Sequence, residues 1–135
     1  MSKTKILLVG YGYWGPNLAR NLNQNSNVEF TGILEIDQDL HSKISTDYPE
    51  IRIFNNVDEI GDDHDAAIAS TPATTHFSIG YKLLEKGLHV LIEKPLATNI
   101  EDCQKLIKIA EEKQLKLMVG HTYLYNASVI KIKEI

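Results

Sequence analysis

The chain has 135 residues, 43% of them hydrophobic, one cysteine and a formal net charge of −4, which suits one globular domain with a sizeable core. That charge speaks against a nucleic-acid binder, which needs a basic stripe for phosphates, and no apolar run approaches the roughly 20 residues of a membrane span. Cys103 cannot form an internal disulfide and nothing has zinc-site spacing, so no metal is expected; with no signal peptide visible, a cytoplasmic location is.

In chain order, the apolar run Ile6 to Val9 breaks into Gly10-Tyr11-Gly12-Tyr13-Trp14-Gly15-Pro16-Asn17, a strand entering a phosphate loop. Backbone N–H groups at the open start of a helix hold a phosphate, and the helix dipole favours the anion. Gly10 allows the tight turn, Gly12 leaves no Cβ between backbone and pyrophosphate, and Gly15 lets the helix sit close to the strand. Tyr13 and Trp14 either shield the pyrophosphate or simply pack. Pro16 fits a first helical turn, and the helix runs from about Gly15 to Leu22 with Leu18, Ala19 and Leu22 on its packing face.

A second strand covers Val28 to Leu34, and Glu35 follows it, twenty residues beyond Gly15. Its carboxylate is placed for the adenosine ribose hydroxyls and repels a 2′-phosphate, so the cofactor expected is NAD, with NADP less favoured. Asp37 is a rival for that role but also fits an N-cap for the helix from about Gln38. Ile51 to Phe54 reads as an edge strand, Asn55-Asn56 opens a short helical segment through Ile60, and Ala66 to Ser70 is a fourth strand ended by Thr71-Pro72. A helix from Thr74 or Thr75, with Ile79, Leu83 and Leu84 on its apolar face, ends at Gly87. His89 to Ile92 is a fifth strand, followed by Glu93-Lys94-Pro95. Thr98 and Glu101 have capping-box spacing for a helix through about Lys113, with Cys103, Leu106, Ile107 and Ala110 on its apolar face. A sixth strand, Leu115 to Val119, leads to Gly120-His121 and an amphipathic helix from about Asn126 to Ile135.

Six strands alternating with helices imply an α/β fold: a Rossmann doubly wound parallel sheet, strand order 3-2-1-4-5-6, with helices on both faces. Ligands of such sheets bind beyond the carboxyl ends of the strands, where Glu35, Thr71, Pro72, His76, Glu93, Lys94 and His121 fall. His41, His64 and His89 read as surface or packing residues.

The glycine loop, Glu35, Ser70-Thr71-Pro72 with His76, Glu93-Lys94-Pro95 and Val119-Gly120-His121 together resemble the N-terminal domain of the Gfo/Idh/MocA oxidoreductases, which act mainly on sugars, sugar nucleotides and polyols with NAD(P). The loop and Gly120-His121-Thr122-Tyr123-Leu124-Tyr125-Asn126 look most like the branch holding UDP-N-acetylglucosamine- and glucuronate-type 3-dehydrogenases; Ala127 stands where that family usually has proline. The resemblance implies a dinucleotide-binding domain over 1–135 whose second, substrate-binding domain is absent from this chain. It implies hydride transfer between NAD and a sugar or nucleotide-sugar hydroxyl, with the fragment inactive alone. Lys94, its ammonium made less basic by burial, hydrogen-bonds the reacting oxygen, and Glu93 orients Lys94 or contacts the nicotinamide ribose. The Lys94-Pro95 bond is often cis in that family. His76 either contacts the cofactor or makes a structural hydrogen bond, and His121 faces the substrate. Val129, Ile130, Ile132 and Ile135 would lose their cover without a second domain, so self-association through the last helix is expected. A stand-alone NAD-binding or sensor module and a truncated scaffold are the alternatives.

Overall fold

The structure is a computed structural model that describes residues 2–135. A single sheet contains β1 (Thr4–Val9), β2 (Val28–Leu34), β3 (Arg52–Phe54), β4 (Ala66–Ala69), β5 (His89–Glu93) and β6 (Leu117–Gly120). Its order is β3-β2-β1-β4-β5-β6 and every pairing is parallel, as the alternation of strands and helices predicts. The helices are α1 (Gly15–Gln24), α2 (His41–Asp47), α3 (His76–Glu85), α4 (Ile100–Glu112) and α5 (Ala127–Lys133).

Strand β1 shows why a central parallel strand reads as an unbroken apolar run. Its side chains alternate between two covered faces. Leu7 and Val9 join Leu83 and Leu84 of α3 and Leu106 of α4 in one core. Leu8 joins Ala19 and Leu22 of α1 and Ile44 of α2 in the other. The β1–β2 register steps from Ile6 beside Phe30 to Leu7 beside Gly32, leaving Thr31 as the extra residue of a bulge. The Thr31 hydroxyl donates to the Ile6 carbonyl at 3.1 Å.

That hydroxyl also lies 2.7 Å from Nδ1 of His64, just before β4. The His64 Nε2 lies 3.4 Å from Asp63 Oδ1 and has no hydrogen-bond partner among the described residues. Burial depresses the His64 pKa, with the nearby charges of Arg52 and Lys5 acting in the same direction and Asp63 and Asp65 opposing them. Desolvation dominates, so we read the Asp63 contact as a neutral approach and not an ion pair.

Several local expectations shift. The cap of α4 is Asn99, not Thr98: its side chain accepts the Asp102 N–H at 2.8 Å and its amide donates to the Asp102 carboxylate at 2.8 Å. Asparagine followed by an acid three residues on makes a reciprocal pair one position later, with the Asn99 side-chain amide and not its backbone N–H as the second donor. Along α4, Leu106, Ile109 and Ala110 are buried while Ile107 turns outward, and Cys103 packs at the core margin. Strand β6 starts at Leu117, not Leu115. Between β6 and α5 lies a 3-10 turn, Thr122–Tyr125, that the sequence pattern does not announce. No residue of α5 is buried. No helix among the described residues is long and apolar enough to cross a membrane.

Candidate functional site

The carboxyl ends of β1, β2, β4 and β5 surround a cleft of about 570 Å³. Of the residues picked out from the sequence, Gly10, Gly12, Tyr13, Trp14, Glu35, Thr71, Pro72, His76, Glu93 and Lys94 all line it, though they are far apart along the chain. The topology brings them together because parallel strands all end on one edge and the order reverses between β1 and β4.

The three glycines divide the work. Gly10 has φ +94°, and a Cβ there would sit 2.6 Å from the Ser70 carbonyl oxygen, so the loop crosses β4 where only glycine fits. Gly15 does not line the cleft; a Cβ on it would be 2.8 Å from the Gly10 carbonyl oxygen, so it admits the first turn of α1 against the loop. Gly12 has nothing within 4 Å of where its Cβ would be and opens on the cleft. The first turn of α1 carries Pro16, no acidic residue and no side-chain cap; the Asn17 and Leu18 N–H groups donate to the Trp14 carbonyl at 3.1 Å, and the Gly15 N–H at the helix start faces an end whose dipole favours an anion. These features fit the pyrophosphate of a dinucleotide.

Glu35 is 7% exposed. One carboxylate oxygen accepts the Tyr11 N–H at 2.6 Å and the other the Asp37 N–H at 2.9 Å, while its carbonyl takes a 2.7 Å bond from Nε2 of the half-buried His41. A carboxylate has about four acceptor positions, so two stay available toward the cleft. Asp37 caps the following turn, accepting from Asp39 N–H at 3.0 Å, as expected, and it too lines the cleft. The Tyr11 ring drops into the core beneath the loop, its hydroxyl 3.3 Å from Asp47 Oδ2. Burial first, then the neighbouring Tyr48 and Asp47, push its pKa up to about 12.

At the other end, Glu93 accepts the Lys94 backbone N–H at 3.3 Å and bonds nothing on the Lys94 ammonium. Its carboxylate lies over Gly120, where a Cβ would meet all three carboxyl atoms at 3.1 Å. The Lys94-Pro95 bond is cis. The burial expected for Lys94 is absent: its side chain is exposed at the rim, because the strand has ended and this chain places nothing over the turn. Lys94 also lines a second cleft of about 520 Å³ with Pro95, Gly120, His121, Tyr123 and Val129. His121 is thus outside the first cleft and shares only Lys94 with it. Tyr13 and Trp14 stand outward, 88% and 54% exposed, edge to face at 5.4 Å, so they do not pack in the core.

The sequence reading missed the apolar lining given by Ile36, Leu40 and Ile79. Ile36 is 78% exposed between two acids, and an isoleucine in a polar turn is the signal that marks it. Ile79 had been absorbed into the helix core pattern. Among the described residues no cluster of three or more His, Cys, Asp or Glu is arranged to hold a metal.

Comparison with known proteins agrees with this geometry. An uncharacterized oxidoreductase of Streptococcus pneumoniae serotype 4 is 30% identical over 133 residues, covering 97% of this chain and 35% of its own length. A UDP-N-acetylglucosamine 3-dehydrogenase of Acidithiobacillus ferrooxidans is 29% identical over 114 residues, 84% of this chain and 36% of its own. The chain therefore spans about a third of the length of these relatives. Among solved structures, GenD2 from gentamicin A biosynthesis, in complex with NAD, superposes with a TM-score of 0.91 at 24% identity over 99% of this chain and 39% of that one, a likeness of fold. The Gfo/Idh/MocA oxidoreductase family with an NAD-binding Rossmann fold matches residues 4–121, and the chain belongs to that family.

Proposed function

We propose that this chain is the cofactor-binding part of an oxidoreductase that moves a hydride between NAD and a hydroxyl carbon of a sugar or nucleotide sugar. The observation that carries the reading is that Lys94 borders both clefts. The first has the glycine loop and Glu35 for a dinucleotide; the second has His121 on its wall. A lysine bordering both supports reading it as the group where cofactor and substrate meet. The acetylglucosamine dehydrogenase relative supports a nucleotide sugar as substrate.

When bound, the nicotinamide supplies the hydride acceptor. The chain's own residues do the rest. Backbone N–H groups of the loop and α1 hold the pyrophosphate. Glu35 takes the adenosine ribose hydroxyls with its remaining lone pairs, and with Asp37 beside it disfavours a 2′-phosphate. Thr71 and Pro72 form the wall toward the nicotinamide half. The Lys94 ammonium donates to the reacting oxygen and steadies its developing negative charge. The sugar pocket and the acid/base pair that completes proton transfer come from a further domain, so the chain alone binds cofactor without turnover. The exposed apolar face of Tyr123, Leu124, Val129 and Ile132 then drives self-association.

Mapping by NMR tests this assignment. NAD should shift the amide signals of Thr71, Glu93 and Lys94, whereas ADP should move only those of the glycine loop and of residues 35–37. Equal patterns for the two ligands would remove Lys94 from the nicotinamide side.

A further inference from the structure

His76 opens α3 and is 1% exposed, one of three buried polar or charged side chains among the described residues. Its Nδ1 lies 2.6 Å from the Pro95 carbonyl oxygen and its Nε2 lies 2.8 Å from that of Thr71. Both partners are carbonyls, and a carbonyl only accepts. A neutral imidazole has one N–H. It could serve one of these oxygens and would set its lone pair against the other inside hydrogen-bond distance. In a core that places no donor between them, that arrangement is repulsive.

We propose that His76 is held as an imidazolium that donates from both ring nitrogens, clamping the Thr71–Pro72 loop after β4 to the Lys94–Pro95 turn after β5. Two charge-assisted bonds, stronger than neutral ones, offset the cost of burying the cation. The titratable and charged groups sharing its cleft are Tyr13, Glu35, Asp37, Glu93 and Lys94, and none of them hydrogen-bonds the ring, so the two carbonyls are its partners. The two clamped segments carry Thr71, Pro72 and Lys94, all of which line the cleft. His76 therefore sets the distance between them from behind, as a positioning residue. The Thr75 hydroxyl, 2.8 Å from Thr71 Oγ1 and 2.7 Å from the Pro72 carbonyl, fixes the Thr71 side of the clamp. The consequence for the cofactor rests on the dinucleotide reading above; the state of the ring does not.

The test is nitrogen-15 NMR of the histidine rings of the 135-residue chain, without ligand, at about pH 7.5, roughly a unit above the ordinary imidazole value. Both nitrogens of His76 should be protonated, whereas His89, whose Nδ1 accepts the Lys116 N–H at 2.9 Å, should show one N–H and one bare nitrogen. A bare nitrogen on His76 overturns the clamp. The positioning role is read on His76→Gln, whose amide has one donor end and one acceptor end: NAD binding should weaken about tenfold, roughly 1.4 kcal/mol, with ADP binding unchanged. Equal weakening of both, or of neither, overturns that role. If the unaltered chain bound neither nucleotide, the cofactor reading would fail, and the ring spectrum would still decide the clamp.

Discussion

The Glu35 carboxylate accepts the Tyr11 N–H at 2.6 Å across 24 residues of sequence, so the acid at the end of β2 fastens the glycine loop that leaves β1. On the proposed reading, ribose recognition depends on the side chain that also fixes the loop geometry. Glu35→Ala leaves the N–H groups of Tyr11 and Asp37 without their acceptor, a loss of about 1–3 kcal/mol. Thermal unfolding should drop by several degrees while NAD binding is lost. Glu35→Gln keeps one acceptor oxygen and should fall between the two. A full-strength melting temperature in Glu35→Ala would show that the loop is held by something else.

The glycines separate stability from binding. Gly10→Ala places a Cβ 2.6 Å from the Ser70 carbonyl oxygen at a φ of +94° and should destabilise by about 2 kcal/mol or more. Gly12→Ala meets nothing within 4 Å and should change stability by less than about 0.5 kcal/mol, yet weaken NAD by standing between backbone and pyrophosphate. Denaturant melts paired with NAD titrations check both. Equal stability loss in the two variants would contradict the division.

His64 predicts a one-sided pH dependence. Its pKa is lowered in the folded state, chiefly by burial, so the unfolded chain takes up the proton first as pH falls. Its contribution is complete above the ordinary imidazole value of about 6.5 and is lost progressively below it. Melting temperature should decline from about pH 7 to about pH 5 with the unaltered chain, and less steeply with His64→Gln. Equal slopes would mean that other groups set the acid limit.

The start of α4 offers a local check. Asn99→Ala should cost about 1 kcal/mol and Thr98→Ala less than about 0.5, since Asn99 alone bonds the first turn. The Asn99 side chain, with Lys105 helping, holds the Asp102 carboxyl below its usual range, and that depression should shrink in Asn99→Ala. The reverse order of stability costs would restore Thr98 as the cap.

Self-association is read by sedimentation. If the apolar face of Tyr123, Leu124 and Ile132 seeks cover, the chain sediments as a concentration-dependent oligomer, and Leu124→Glu with Ile132→Glu returns it to a monomer. A monomer at high concentration in the unaltered chain would contradict that reading.

What was legible from sequence is local and periodic. The strand alternation gave the observed sheet order, and Gly10 turns with the positive φ a tight turn needs, while Gly15 closes on the loop itself and not on the strand. The unread parts are contacts between segments distant in sequence. His76 reaches a carbonyl 19 residues away, His64 touches a bulge 33 residues earlier, and Glu35 holds Tyr11; no spacing rule encodes such pairs. Burial of Lys94 was expected from its place beside the nicotinamide in the family it resembles, but its side chain is exposed, since exposure depends on what covers the turn. The cap of α4 moved one place because two overlapping cap patterns competed and asparagine, with Asp102 to answer it, won.

The most direct measurement is calorimetric titration of the chain with NAD and with NADP. NAD should bind one to one, and NADP at least about tenfold more weakly, because the proposed reading sets the Glu35 carboxylate, with Asp37 in the same cleft, against a 2′-phosphate. Absence of NAD binding, or NADP binding as tight as NAD, would contradict the assignment of this cleft.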